Sequence, residues 1–239
     1  MGKKLKVQRR GRGTSLFRAN KKGKVADTGY PPIQGETLRG DVMNLMHEPG
    51  RGAPLAHITL INGEEYHIPA PEGVAVGQEI LFEGSKHEVG NTLHVHEIPE
   101  GVMVNNVELK PGDGGKLARS SGTFATIIGH SEDRTVLKLP SKKNVSIPDK
   151  ARATVGIVSG GGRREKPFLK AGEKHHAARA KGQVYPVTKG VKMTAASHPH
   201  GGGRHRRAGK STTVSRHAPP GAKVGLIAAR ASGKKKRKR

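Results

Sequence analysis

No cysteine and no tryptophan occur in the 239 residues, and aromatic side chains make up only 3% of them. The first absence excludes a disulfide framework and any thiolate-bound zinc, and it suits a cytosolic protein. The second leaves four Phe and three Tyr, too few for the stacking platforms on which single-strand binders depend. No apolar run approaches the roughly 18 residues that would span a bilayer. Basic helices that lie on membranes carry an apolar face, and none is visible. The opening Met1-Gly2-Lys3-Lys4-Leu5-Lys6 has charge with no apolar stretch behind it, so a secretory leader is not expected. Lys6 stands where a myristoylation signal needs Ser or Thr.

Hydrophobic residues amount to 33%, too few for one compact core of this length, so small barrels with non-globular arms fit better. Positive charge is what the chain has in excess. It holds 44 Lys and Arg against 19 Asp and Glu, a net charge of +25, with a pI of about 10.7. Self-repulsion on this scale opposes compaction, and a polyanionic partner is the economical explanation.

The charge is unevenly placed. Residues 1–36 carry ten cations and two acids, residues 37–110 four and eleven, residues 111–176 thirteen and six, and residues 177–239 seventeen and none. An acidic module therefore sits inside a basic chain. The first basic stretch contains Gln8-Arg9-Arg10-Gly11-Arg12-Gly13-Thr14, where forked guanidinium donors match phosphate and glycine admits the backbone to narrow grooves. Phe17, Tyr30, Pro31 and Pro32 suggest that this arm docks before residue 36.

From 36 to 98 the pattern is of short strands, around residues 38–45, 56–61, 64–68, 79–82 and 92–96. Asn62-Gly63 between two apolar-alternating runs is the strongest short hairpin signal available. Five strands in so short a span predict an oligonucleotide-binding-type barrel. Its acidity predicts an outer surface that faces solvent or a basic protein. Residues 102–107, 123–128, 135–139, 144–147 and 152–158 form a second strand set, broken at Pro111-Gly112-Asp113-Gly114-Gly115, Pro140-Ser141 and Pro148-Asp149, and predict an SH3-like barrel. From Gly160 onward strand patterning stops, and Gly, Pro and basic residues run to Lys234-Lys235-Lys236-Arg237-Lys238-Arg239. Irregular stretches of this length are uncommon in compact domains and point to a chain that folds on its partner.

Residues 197–210, Ser-His-Pro-His-Gly-Gly-Gly-Arg-His-Arg-Arg-Ala-Gly-Lys, exclude a helix or strand of any length, because Pro199 breaks the one and three glycines loosen both. Gly209-Lys210-Ser211 resembles the end of a nucleotide P-loop, but Arg204 stands where the upstream glycine is needed, and Gly114-Gly115-Lys116 is followed by Leu117. His198, His200 and His205 could hold zinc, but nothing fixes their geometry and Arg204, Arg206 and Arg207 repel a cation. Magnesium shared with RNA phosphates suits the composition better. A lone His can act as a general base near neutral pH. The last acid in the chain is Glu173, however, so no carboxylate lies near to orient the ring. Nucleic-acid binding accounts for charge, arms and barrels together, and the shortage of aromatics points to folded RNA read through phosphate, shape and 2′-hydroxyl.

Several motifs then carry a resemblance. They are Gln8-Arg9-Arg10-Gly11-Arg12-Gly13-Thr14, the run from Pro111 through Gly112-Asp113-Gly114-Gly115-Lys116 to Thr123, Arg152-Ala153-Thr154-Val155-Gly156, Lys166-Pro167-Phe168-Leu169-Lys170-Ala171-Gly172, and His198-Pro199-His200-Gly201-Gly202-Gly203. Together they resemble the large-subunit ribosomal protein two family (L-two) over nearly the whole chain, with residues 166–176 similar to its archaeal and eukaryotic branch and pointing to an archaeal source. The resemblance implies an all-β chain: an oligonucleotide-binding-type barrel followed by an SH3-like barrel, with long irregular basic extensions. It also implies a structural, primary rRNA-binding constituent of the large ribosomal subunit in the cytoplasm. That role would support subunit association, tRNA placement and the peptidyl-transferase region. His198 matches the family histidine near the peptidyl-transferase centre, but Ser197 replaces the Asp of the bacterial pattern, which removes the carboxylate a catalytic imidazole would use.

The expected division is therefore 1–35 as a basic RNA-binding arm, 36–98 as the acidic barrel, 99–160 as the SH3-like barrel and 161–239 as an irregular basic extension. The expected rRNA-binding residues are Arg9, Arg10, Arg12, Lys116, Arg119, Arg163, Arg164, Lys170, Lys174, His175, His176, His198, His200, Arg204, Arg206, Arg207 and Lys210. No enzyme activity is expected, with His198 the one weak catalytic candidate, and no metal site, small-molecule substrate or membrane. The expected partners are large-subunit rRNA and neighbouring ribosomal proteins. The alternatives are a general cationic nucleic-acid coat and a His-dependent transferase.

Overall fold

A computed structural model describes residues 2–32, 35–163 and 165–229. The chain divides into two compact units, residues 21–169 and a second made of residues 1–20 with 170–239.

The 21–169 unit is one antiparallel-dominated sheet of ten short strands, β1 Leu38–Met46, β2 Leu55–Leu60, β3 Glu65–Pro69, β4 Glu79–Phe82, β5 Thr92–His94, β6 Met103–Asn105, β7 Ala125–His130, β8 Arg134–Lys138, β9 Asn144–Pro148 and β10 Arg152–Val155. Their order in the sheet is β3-β2-β1-β4-β5-β10-β6-β7-β8-β9. All ten fall where alternating Val, Ile, Leu and Thr predict them. Asn62-Gly63 closes the β2–β3 hairpin, with Gly63 at φ 84° and Leu55 to Thr59 paired against Pro69 to Glu65. A bulge interrupts β1 between Val42 and Asn44, and a second interrupts β7 between Ile127 and Gly129, bending each strand as closure of a small barrel requires.

Two apolar cores lie inside this sheet. One gathers Val42, Ile58, Ile68, Ile80 and Phe82. The other gathers Val104, Ile127, Leu137, Ile147 and Val155, and Leu93, Val95 and Ile98 join it. The strand at 92–94, expected at the end of the first barrel, meets β4 at one residue pair, Phe82 with Thr92, and runs beside β10 along three. β10 is thus the strand that joins the two halves, because it pairs with β5 on one side and β6 on the other.

That junction is polar at its centre. Arg152, 1% exposed, places its guanidinium 3.0 Å from Glu108 and 3.1 Å from Glu83. Its Nη1 also donates to the Pro31 carbonyl at 2.8 Å. Tyr30 lies against the same guanidinium, 5.2 Å from ring centroid to Cζ, and its hydroxyl lies 2.7 Å from both the Asn106 carbonyl and Thr154 Oγ1. The docking expected of Tyr30 and Pro31 is therefore onto the strand junction. A buried charge is tolerable when paired and hydrogen-bonded, and the Arg152 guanidinium meets two carboxylates and a carbonyl, while Glu83 Oε2 has no hydrogen-bond partner.

The other unit has little apolar interior. Its elements are α1 Lys6–Gly11, a 3₁₀ turn at Ser15–Phe17, α2 Ala171–Ala180, a 3₁₀ turn at Gly190–Lys192, and the two-residue parallel pair β11 Thr213–Val214 and β12 Leu226–Ile227. Among its described residues only Leu5 and Val224 are buried hydrophobics. The two chain segments interlock. Lys3 N–H donates to the Ala196 carbonyl at 2.8 Å, and Gly182 packs so closely on residues 17–19 that a Cβ there would lie 2.7 Å from the Arg18 carbonyl carbon. The basic stretch beyond Gly160, expected as irregular throughout, carries the ten-residue α2. Ala-rich sequence favours helix, and Glu173 in its first turn with Arg179 in its last complements the helix dipole.

Candidate nucleic-acid interface

The division into units sorts the charge completely. Residues 1–20 and 170–239 hold 26 Lys and Arg and a single acid, Glu173, whereas residues 21–169 hold 18 of each sign. The whole net charge of +25 belongs to the unit of chain ends. It also has almost no core, so its own burial contributes little against the repulsion it carries.

Its cations are presented on short, polar elements. Arg9 and Arg10 close α1, Arg12 caps it, and all three are exposed. Arg10 is steered by Phe17, whose ring centroid is 5.9 Å from its Cζ. Lys170 is the N-cap of α2, and Lys174, His175 and His176 are exposed on it. Lys174 Nζ lies 5.2 Å from the Tyr185 ring centroid, and the two histidine rings meet edge-on at 5.5 Å. No residue of α2 is buried. A ten-residue helix that is polar all round is marginal in water on its own.

The 197–210 loop is wound on its own chain. Gly201 N–H donates to the His198 carbonyl at 2.9 Å and Gly202 N–H to the Met193 carbonyl at 3.1 Å. A Cβ on Gly201 would collide with the carbonyl oxygens of Thr194 and Met193, so this glycine serves a close approach within the protein. Arg204, Arg206, Arg207 and Lys210 project outward and exposed.

His198 and His200 are half-buried, with ring centroids 5.2 Å apart. The His198 ring lies against Gly190, where a Cβ would collide with it. His200 backbone N–H donates to His198 Nδ1 at 3.0 Å. That bond commits Nδ1 as an acceptor and leaves the proton of the neutral ring on Nε2. Burial, followed by the neighbouring His200, holds the His198 pKa below its ordinary value. The ring is thus a neutral Nε2–H donor whose basic nitrogen is already engaged. This suits hydrogen bonding to phosphate, ribose or base and not proton abstraction. Among the described residues no three of His, Asp and Glu gather as metal ligands.

The remaining expected residues lie in the 21–169 unit. Lys116 and Arg163 are exposed. Arg119 is half-buried and donates to the Gly115 carbonyl at 2.8 Å and the Thr28 carbonyl at 3.5 Å. Burial, with Arg51 nearby, lowers its pKa. Arg164 lies outside the described residues, as does the basic cluster at 234–239.

The glycine loop at 111–115 spends its donors internally. Glu108 accepts from Gly112 and Gly114 N–H at 3.2 and 3.0 Å, and Asp113 accepts from Leu109, Lys110 and Gly115 N–H. A loop whose amides already face two carboxylates is not a phosphate cradle. Gly115, at φ 88°, packs where a Cβ would collide with Asn106.

Sequence reasoning brought forward Arg9 and His198 separately, and the structure places both on one cleft. It passed over Lys3, Lys4 and Lys6 on the same cleft, which the alternation of lysine with Leu5 could have signalled. It also passed over the Arg152–Glu108–Glu83 cluster, for which no local signal exists.

A strongly basic unit of chain ends together with a neutral unit of ten strands defines the class of nucleic-acid-binding proteins. Comparison with known proteins attaches an RNA-binding description to a stretch that includes most of the first barrel. Residues 6–82 match the model described as "Ribosomal Proteins L2, RNA binding N-terminal domain", and residues 88–223 match "Ribosomal Proteins L2, C-terminal domain". A large ribosomal subunit protein uL2 from Hyperthermus butylicus is 53% identical over 99% of this chain and 100% of its own length. The Methanothermobacter thermautotrophicus uL2 is 52% identical over 99% and 100%, and the Korarchaeum cryptofilum uL2 is 50% identical over 100% and 98%. The chain belongs to the ribosomal protein L2 family, a family of structural proteins and not of enzymes. The all-β pair of barrels is the fold of that family.

Proposed function

We propose that this chain is a structural rRNA-binding constituent of the large ribosomal subunit. Residues 1–20 and 170–239 grip the RNA, and the barrels at 36–98 and 99–160 form the folded frame of the chain. The observation that carries this reading is the complete segregation of charge, +25 in the unit with two buried apolar residues among those described and zero in the unit with both cores. Folded rRNA supplies the anion that such a unit needs. Neighbouring ribosomal proteins are partners of the frame, whose acidic stretch suits a basic neighbour. Support of subunit association, tRNA placement and the peptidyl-transferase region belongs to the same reading, with His198, His200, Arg204, Arg206, Arg207 and Lys210 carried on one loop toward RNA. Arg9, Arg10 and Arg12 on the first segment, and Lys170, Lys174, His175 and His176 on α2, complete the grip. Lys116, Arg119, Arg163 and Arg164 act from the frame.

Each phosphate neutralised releases counterions, so the affinity of the full chain for large-subunit rRNA should fall with salt at a log–log slope of about −0.7 to −0.9 per phosphate. Filter binding between about 50 and 200 mM salt should show a loss of at least about a thousandfold. A flat response rules out the electrostatic grip. Equal affinity for duplex DNA and rRNA at one salt concentration would instead make the chain a general cationic coat.

A further inference from the structure

A cleft in the unit of chain ends is not explained by its structural role. It measures about 320 Å³ and is lined by residues from Lys3 to Arg9 and from the stretch 187–224. Its floor is apolar: Leu5 and Val224, the two buried hydrophobics among the described residues of the unit, with half-buried Met193, while Val187, 64% exposed, forms the lip. Lys3, Lys4, Lys6 and Arg9 line the same cleft and no acid does. His198 completes the wall.

We propose that this cleft receives a single unstacked nucleotide of the RNA, the base seated on the Leu5–Met193–Val224 floor, its phosphates among Lys3, Lys4, Lys6 and Arg9, and His198 Nε2–H donating to it. The inference rests on the RNA-binding reading above and goes beyond it, because a phosphate grip alone needs no apolar pocket. A volume near 300 Å³ lies at the small end of ligand pockets, large enough for one base and too small for the acyl chain of a lipid. The shape is also what a chain poor in aromatics needs. With no stacking platform, a splayed-out base can gain affinity by burying its faces against aliphatic side chains while its edge meets one fixed donor. Cations on the rim and apolar side chains beneath match a nucleotide better than an acidic peptide, which has charge but no flat apolar body.

The test uses the full chain and in-vitro-transcribed large-subunit rRNA. Val187→Trp fills the mouth from an exposed position without altering charge. It should weaken binding about tenfold and leave the salt slope unchanged. Val187→Ser, which removes apolar surface without bulk, should weaken it about threefold and serves if the Trp variant misfolds. Irradiation at short wavelength followed by mass spectrometry should find nucleotide adducts on peptides containing Leu5 to Arg9 or Val187 to Met193. Unchanged affinity in both variants, with adducts only elsewhere, overturns the cleft while leaving the RNA grip intact. Failure of the unaltered chain to bind rRNA overturns the grip itself. Saturation of the cleft by nucleoside monophosphates, without loss of rRNA affinity, would assign it to free nucleotides and overturn the proposal.

Discussion

The two units of this chain solve opposite problems. Residues 21–169 balance 18 cations with 18 acids and bury two apolar cores, and the buried cluster of Arg152 with Glu83 and Glu108 is paired inside. Residues 1–20 and 170–239 carry the entire net charge and bury almost nothing. The first unit is specified by its own sequence. The second has local turns, short helices and interlocked segments, and a single acid, Glu173, against 26 cations. Basic residues are therefore not interchangeable here. Arg152 is spent on the fold, paired with Glu83 and Glu108, whereas Arg204, Arg206, Arg207 and Lys210 of the chain ends stand exposed.

The sharpest way to break this comparison is at Glu108. Its carboxylate accepts five hydrogen bonds, from the Gly112 and Gly114 amides and from the backbone N–H, Nε and Nη2 of Arg152. Glu108→Ala leaves Arg152 buried and half-paired and should destabilise the frame by about 3–5 kcal/mol, read as a fall in the chemical-unfolding midpoint of the full chain. The opposite substitution is Arg204, Arg206 and Arg207 together to Gln. It should reduce the salt slope of rRNA binding by about 0.7–0.9 for each phosphate no longer neutralised, yet move the unfolding free energy by less than about 0.5 kcal/mol per site. If the triple variant unfolds as early as Glu108→Ala, the division of labour fails.

Tyr30 refines the picture within the frame. Tyr30→Phe removes a hydroxyl placed between the Asn106 carbonyl and Thr154 Oγ1, for a loss of about 1–2 kcal/mol. Desolvation raises the Tyr30 pKa above its ordinary value of 10.0. A raised folded pKa means that the native state holds the proton more tightly. Its contribution to stability is therefore complete below pH 10 and is lost as pH climbs toward the folded value. Denaturant midpoints of the full chain should fall more steeply above pH 10 than those of Tyr30→Phe. Parallel curves would mean that the hydroxyl is not held as described.

What was legible in the sequence follows the same boundary. The ten strands of the frame could be read because period-2 alternation and turn residues act locally, and Asn62-Gly63 fixed its hairpin without help from the rest of the chain. The Arg152 cluster could not be read. Glu108 is 44 residues from Arg152 and Glu83 is 69 away, and in a sequence all three look like surface charges. The membership of Leu93, Val95 and Ile98 in the second core was hidden for a related reason, since period 2 gives a strand two faces but not the identity of its neighbour. In the chain ends, α2 escaped because a helix with no buried residue has no apolar stripe to reveal it. The loop at 197–210 was legible as basic and glycine-rich, but its glycines could not show that the close approach they permit is to Met193 and Thr194.

The smallest effect concerns His198, and it tests whether the chain ends hold any preformed geometry of their own. The His200 amide bond to Nδ1 requires the Nε2–H tautomer, and burial with His200 nearby lowers the pKa from 6.5. A lowered folded pKa means that the native loop excludes the proton. Its contribution to loop stability is present above pH 6.5 and is lost as pH falls through the lower folded value. Nitrogen-15 NMR of the full chain with labelled histidine should find the Nε2–H form at pH 7 and a titration midpoint below 6.5. The amide of His200 should lose protection from exchange over that same acid range. An Nδ1–H ring, or a midpoint at or above 6.5, would mean that the loop does not fix the imidazole before RNA arrives. The donor that the cleft relies on would then have to be set by the RNA.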